Sequence, residues 1–205
     1  MIIKVCGMRD ANNIRDIENI GIDWMGFVCY NQSPRFVNTI PAYMPTRVKR
    51  VGVFVNAKID FILTWTKNLN LDYIQLHGTE SPMFCSTLHN RGLHLIKAFT
   101  PRKPSDFKQI ASYTPYCDFL LFDTPCLTFG GSGKIFDWNL LQYYTNNIPF
   151  LLSGGICPDS LKLLQQFRHP QWAGIDLNSG FETKPAIKDA TMLQLFIKQI
   201  KNSPF

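Results

Sequence analysis

Apolar runs of strand length recur along the chain with polar or amphipathic stretches between them. They are IIKVC (2–6), WMGFV (24–28), RVGVFV (50–55), YIQL (73–76), LHLIKAF (93–99), DFLLFD (118–123), PFLLS (149–153) and AGIDL (173–177). Their starts are roughly 20 to 31 residues apart, about the length of one strand, one helix and two turns. Most are continuously apolar rather than alternating, the signature of parallel strands buried on both faces. Between them, DANNIRDIENI, AKIDFILTWTKNL, SPMFCSTLHNRG and PDSLKLLQQF read as amphipathic helices, and IKDATMLQLFIKQIKN reads as a closing one.

Strand and helix are thus expected to alternate throughout. The second crossover is the exception, because NTIPAYMPTR contains two prolines and has room for little more than a turn of helix. Periodicity alone allows a doubly wound sheet or a barrel. Eight βα units in 205 residues favour a single (β/α)8 barrel spanning residues 1–205, with a short or degenerate second helix. In that fold the chemistry lies at the C-terminal ends of the strands.

Composition narrows the field. A 45% hydrophobic content with 13% aromatics is ample for a packed core. No apolar run is long enough for a bilayer and the N-terminus has no basic leader, so a cytoplasmic protein without membrane contact is expected. The six cysteines (6, 29, 85, 117, 126 and 157) show no CxxC pairing and read as reduced thiols, with no metal site indicated. The net charge of +6 permits an acidic partner. Lysine and arginine are nevertheless spread along the chain, which argues for a small anionic ligand rather than nucleic acid.

The strand ends carry a non-random set of groups: Cys6-Gly7, Arg35, Gln75 and His77, Asp123, Ser153-Gly154-Gly155, and Asp176 followed by Ser179-Gly180. Glycine and serine there are also ordinary turn residues. Two small-residue turns after the seventh and eighth strands, however, stand where barrels hold phosphate on backbone N–H groups. The GGSGK stretch at 130–134 is no Walker loop, because Thr128 and Ile135 stand where glycine and Ser/Thr belong. Phe136 likewise breaks a dinucleotide fingerprint. The segment 124–136 reads instead as a mobile loop and a candidate lid.

Each polar residue also has a bland reading: Arg35 as a surface ion pair, Asp176 as a turn cap, His77 as an orienting group, Cys6 as core. Asp123 has the strongest functional claim, following four apolar residues. To be half protonated at pH 7 its carboxyl must rise about three pH units, at a cost of about 4 kcal/mol, which a closed apolar site could supply.

The stretches KVCGMRD, GFVCYNQSPRFV, VGVFVN, LDYIQLHGTE, LFDT with GGSGKIFDW, LLSGGICPD and GIDLNSGFETKPAIKD occur in order from end to end. Together they resemble the phosphoribosylanthranilate isomerase family of tryptophan biosynthesis. The resemblance implies a cofactor-free and metal-free Amadori rearrangement of N-(5-phospho-β-D-ribosyl)anthranilate to 1-(2-carboxyphenylamino)-1-deoxy-D-ribulose 5-phosphate. By the same resemblance Asp123 is the general acid and Cys6 the general base. Arg35 would meet the anthranilate carboxylate, Gly154, Gly155, Ser179 and Gly180 would hold the phosphate, and Gln75, His77 and Asp176 would line the substrate pocket.

A thiol of ordinary pKa ~8.5 needs local help to act as a base at neutral pH. Lys4 is near in sequence, yet it alternates with Val5 and its direction is open. A monomer is expected, since no long exposed apolar helix face is evident. The competing readings are a histidine-pathway isomerase of the same barrel type, which resembles this chain but carries an aspartate at the Cys6 position; a metal-dependent epimerase; a non-catalytic phosphate-ligand barrel; and a basic nucleic-acid-binding barrel.

Overall fold

The computed structural model describes residues 1–123 and 138–202. Eight strands, β1 Ile2–Val5, β2 Trp24–Val28, β3 Lys49–Phe54, β4 Tyr73–Leu76, β5 Leu95–Phe99, β6 Phe119–Asp123, β7 Phe150–Ser153 and β8 Trp172–Leu177, close into a parallel barrel in sequence order. Closure comes from β1 pairing with β8, with Lys4 opposite Asp176 and Val5 opposite Leu177. Every strand lies within one or two residues of an apolar run in the sequence.

Among the described residues there are five α-helices: α1 Ala11–Asn19, α2 Ile59–Leu69, α3 Pro82–His89, α4 Leu161–Gln166 and α5 Ala190–Lys201. Their ends follow local chemistry. Asp10 caps α1 by accepting from the Asn12 and Asn13 amides at 3.1 and 2.9 Å. Ser81 caps α3 ahead of a proline at the first helical position, and Asp189 caps α5. Asn70 ends α2 in the left-handed region at φ 48°.

Alternation of strand and α-helix does not hold throughout. The second crossover has no helix at all between Val28 and Lys49; Phe36 instead makes an isolated parallel bridge with Val28. Pro34, Pro41 and Pro45 break the helical ladder there. In place of helix packing, the buried Glu18 of α1 accepts the Thr46 and Arg47 amides at 2.6 Å each and the Tyr43 hydroxyl. These donors hold its carboxyl below the ordinary range despite burial, so one ionised side chain ties the segment to the barrel wall. The fifth crossover is a 3-10 run, Pro104–Ser112, and a 3-10 stretch at Trp138–Tyr143 precedes β7. After β8 comes a feature absent from the sequence reading, a hairpin of β9 Glu182–Lys184 and β10 Ile187–Lys188.

Side-chain alternation sorts each strand into an outward half beneath the crossovers and an inward half. Ile3, Val5, Met25, Phe27, Phe122 and Ile175 belong to the outer core, with Phe196 and Ile200 of α5. Inside, Trp24 stacks on Tyr73 at 4.6 Å and meets Phe119 edge-on at 5.0 Å, plugging the N-terminal end. Lys4, Gln75 and Asp176 form a buried polar layer above it. Cys6, Val28 and Val53 pack next to the mouth.

Candidate active site

At the C-terminal ends of the strands a cavity of about 310 Å³ is lined by Cys6, Gln75, His77, Asp123, Ser153, Gly154, Gly155, Asp176, Ser179 and Gly180, with Val28, Val53, Tyr30, Ser33 and Asn178 among the rest. Nine of the ten residues given roles by the family resemblance line it. Arg35 stands outside that lining.

Cys6 directly follows β1 and shares the inward face with Lys4, two residues earlier, because side chains repeat every second position. Lys4 is fully buried and its Nζ sits 2.9 Å from Asp176 Oδ1, from the neighbouring strand β8. Its charge also acts on the Cys6 thiol. Gly26 of β2 leaves the room: a Cβ there would lie 2.6 Å from the Cys6 sulfur. Burial pushes the Cys6 thiol above its ordinary range, and Asp176 adds to that, while Lys4 and Lys188 pull it back. Burial likewise raises the Asp176 carboxyl against the opposing pull of Lys4. Burial lowers the Lys4 ammonium, but Asp176 and Cys6 together outweigh it and hold Lys4 above its ordinary value. Lys4 therefore points inward, and the ambiguity left by the sequence is removed.

Asp123 ends β6, three strands from β1 by the shorter way round, with Ser153 opposite it on β7. Its side chain is 35% exposed, so the closed apolar surroundings expected from the preceding residues are absent among the described residues. Phe122 and Phe119 do not cover it: alternation sends Phe122 into the outer core and Phe119 to the plug. Asp123 Oδ2 instead meets His77 Nε2 at 3.0 Å, and His77 Nδ1 meets Gln75 Nε2 at 2.9 Å. With the Gln75 amide donating to Nδ1, the hydrogen-bond pattern assigns the imidazole proton to Nε2, which donates to Asp123. Gln75 is buried, and its Oε1 has no partner among the described residues.

The turns after β7 and β8 form a cradle. Gly154 and Gly155 both have positive φ, 83° and 65°, the left-handed region that glycine enters without steric cost and that lets bare backbone approach a ligand. Gly180 approaches so closely that a Cβ would lie 2.3 Å from the Ile156 carbonyl, which joins the two turns into one wall. Arg35 has Nε 2.8 Å from Glu182 Oε1 and Nη2 2.5 Å from Glu182 Oε2. Glu182, Lys188 and Lys4 are thus groups that sequence reasoning did not assign; the period-two rule applied to KVC would have turned Lys4 inward beside Cys6.

Among the described residues no three His, Cys, Asp or Glu side chains group as a metal site. The described cysteines are free thiols, and no described helix is long and apolar enough to cross a membrane. Residues 124–136, read as a lid from the sequence, lie outside the described residues.

A barrel with a thiol and a carboxyl on separate strands above a glycine-lined cradle defines an acid–base enzyme for a small anionic molecule. Comparison with known proteins specifies it further. The family described as "N-(5'phosphoribosyl)anthranilate (PRA) isomerase" matches residues 3–199. N-(5'-phosphoribosyl)anthranilate isomerase from Phocaeicola vulgatus is 53% identical over 201 residues, covering 98% of both chains. Its counterpart from Parabacteroides distasonis is 49% identical over 206 residues, 98% of this chain and 93% of the other.

Structures agree. The crystal structure of phosphoribosyl anthranilate isomerase from Thermotoga maritima matches with a TM-score of 0.82 at 31% identity, over 98% of this chain and 99% of the other. A crystal structure of phosphoribosyl anthranilate isomerase in complex with reduced 1-(o-carboxyphenylamino)-1-deoxyribulose 5-phosphate matches with a TM-score of 0.80 at 29% identity, over 98% and 99%. The chain belongs to the phosphoribosylanthranilate isomerase family.

Proposed function

We propose that the chain converts N-(5-phospho-β-D-ribosyl)anthranilate to 1-(2-carboxyphenylamino)-1-deoxy-D-ribulose 5-phosphate, the isomerisation of tryptophan biosynthesis, with Asp123 as general acid and Cys6 as general base. The observation that carries the assignment of roles is the cavity itself, where the two groups stand on separate strands beside a phosphate cradle. Asp123 gives its proton to the ribose ring oxygen as the C1′–O bond breaks and the anthranilate nitrogen lone pair forms the protonated Schiff base. The Cys6 thiolate then takes the C2′ proton; the electron pair moves to C1′=C2′ and neutralises the iminium, leaving an enolamine. Tautomerisation places hydrogen on C1′ and leaves a ketone at C2′, so the formula is unchanged.

The acid is helped by His77. Its Nε2–H occupies Oδ2, which leaves the transferable proton on Oδ1 and stabilises the carboxylate once that proton has gone. Backbone N–H groups around Gly154, Gly155, Ser179 and Gly180 hold the phosphate. Arg35 pairs with the anthranilate carboxylate, for which its planar fork is suited. Asp176 acts on the base side, through Lys4. The same reading makes the protein a cytoplasmic monomer, in keeping with its free thiols; sedimentation and cell fractionation test those two points.

The activity test supplies freshly made phosphoribosylanthranilate and follows loss of its fluorescence. Wild type turns it over, while Cys6→Ser and Asp123→Asn each lose about 10²- to 10⁴-fold in kcat with the fold intact by circular dichroism. Folded variants with near wild-type kcat defeat the assignment.

A further inference from the structure

Arg35 is held by the hairpin that follows β8, and this hairpin reaches the site from the far end of the barrel closure. The side chain of Glu182 in β9 is only 5% exposed and receives the guanidinium side-on, through Nε at 2.8 Å and Nη2 at 2.5 Å. The same carboxylate accepts from Lys188 Nζ at 2.5 Å and from the Ala186 amide at 3.1 Å. Lys188 in turn donates to Asn178 Oδ1 at 2.7 Å, and its backbone exchanges two 2.8 Å hydrogen bonds with the Asn13 side chain of α1. Burial opposes the Glu182 charge, but Arg35 and Lys188 hold its carboxyl below the ordinary range and keep it ionised.

The third partner is Gly7. A Cβ at this position would lie 2.6 Å from Arg35 Cδ and 2.9 Å from Asn178 Oδ1, and φ is +81°. The Arg35 side chain therefore lies across the bare backbone next to Cys6, with no room for adjustment beneath it. Of the five N–H bonds of a guanidinium, Glu182 uses one on Nε and one on Nη2. Three remain, and they include the end-on fork formed by Nη1 and Nη2, which matches a second carboxylate. Two cations and one anion leave this cluster with net charge +1, the balance for one incoming carboxylate.

We propose that Glu182 is a positioning residue that fixes the Arg35 guanidinium edge-on, with Gly7 as its floor, so that the free fork selects substrates bearing an aryl carboxylate. This rests on Arg35 being the carboxylate partner, as argued above. Glu182 does not touch substrate.

The test compares kcat and KM for phosphoribosylanthranilate with those for N-(5-phosphoribosyl)aniline, which lacks the carboxylate. In Glu182→Gln, KM for the anthranilate compound rises about tenfold with kcat within about threefold, from the loss of charge-assisted hydrogen bonds, while the aniline compound is unaffected. Glu182→Asp, which keeps the charge, recovers part of that KM and stands in if Glu182→Gln does not fold. Arg35→Ala abolishes the preference altogether. If Arg35→Ala keeps the preference, the reading of Arg35 fails and the proposal with it. If Arg35→Ala loses the preference while both Glu182 variants keep it, only the positioning role is overturned. A lower KM in Glu182→Gln also overturns it, making Glu182 a competitor for the fork.

Discussion

The two walls of the cavity are built on opposite plans. On the Cys6 side the proposed base is buried, with Lys4 and Asp176 paired at 2.9 Å beneath it, so its proton affinity is set by charges in a water-poor interior. On the Asp123 side the proposed acid is a third exposed and hydrogen-bonded in line to His77 and Gln75, so its behaviour is set by aim and access. A weak acid that must surrender its proton before it can act gains most from fixed charges. A carboxyl that must deliver a proton gains more from having one oxygen occupied and the other free.

That contrast can be broken by altering charge on one side and geometry on the other. The largest effect is expected from Lys4→Met. Asp176 then stays buried without its cation, which costs about 3–5 kcal/mol of stability in a urea melt. The thiol, already raised by burial and Asp176, loses its main opposing cation, and only Lys188 still pulls downward. If Cys6 is the base proposed above it works as thiolate, so kcat/KM climbs as pH rises through the thiol pKa, and in the variant this limb lies at higher pH. An unmoved limb would show that Lys4 does not tune Cys6.

Asp176→Asn is expected to do the reverse: with the anion removed, Lys4 is opposed by burial alone and the limb moves to lower pH in the same kcat/KM profile. The smallest change is expected on the acid side. Gln75→Leu removes the donor to His77 and lowers kcat about fivefold, the equivalent of about 1 kcal/mol for one hydrogen bond, without shifting the thiol limb. Its stability stays near wild type because a buried acceptor that has no partner among the described residues is removed along with the bond. A shifted limb in Gln75→Leu would mean that the two walls are not independent.

Much of this arrangement could be read in the chain because a parallel strand buried on both faces leaves a continuous apolar run, and eight such runs at even spacing admit few topologies. The residues at the ends of those runs are then placed at one mouth by the fold alone. Pairwise contacts were not readable in this way. Arg35 and Glu182 are 147 positions apart, and nothing local to SPR or GFE announces that they meet. The direction of Lys4 follows from period two only once the inward phase of β1 is known. The missing second helix had a local signal in its prolines; the Glu18 carboxylate that replaces helix packing there had none. Among the described residues the apolar run before Asp123 does not enclose it, because four residues in a row do not share a face.

The seam between β1 and β8 carries a consequence for how activity arises. Cys6 comes from one end of the chain, while Asp176, Asn178 and Glu182 come from the other, and they meet only when the ring of strands closes. During synthesis the base, its electrostatic tuning and the Arg35 mount are all incomplete until β8 and the following hairpin have emerged. A contact of such sequence separation is slow to form and late to be rewarded. With the roles proposed above, catalysis is gained at ring closure, and a partly made barrel holds a bare thiol rather than a weaker version of the site.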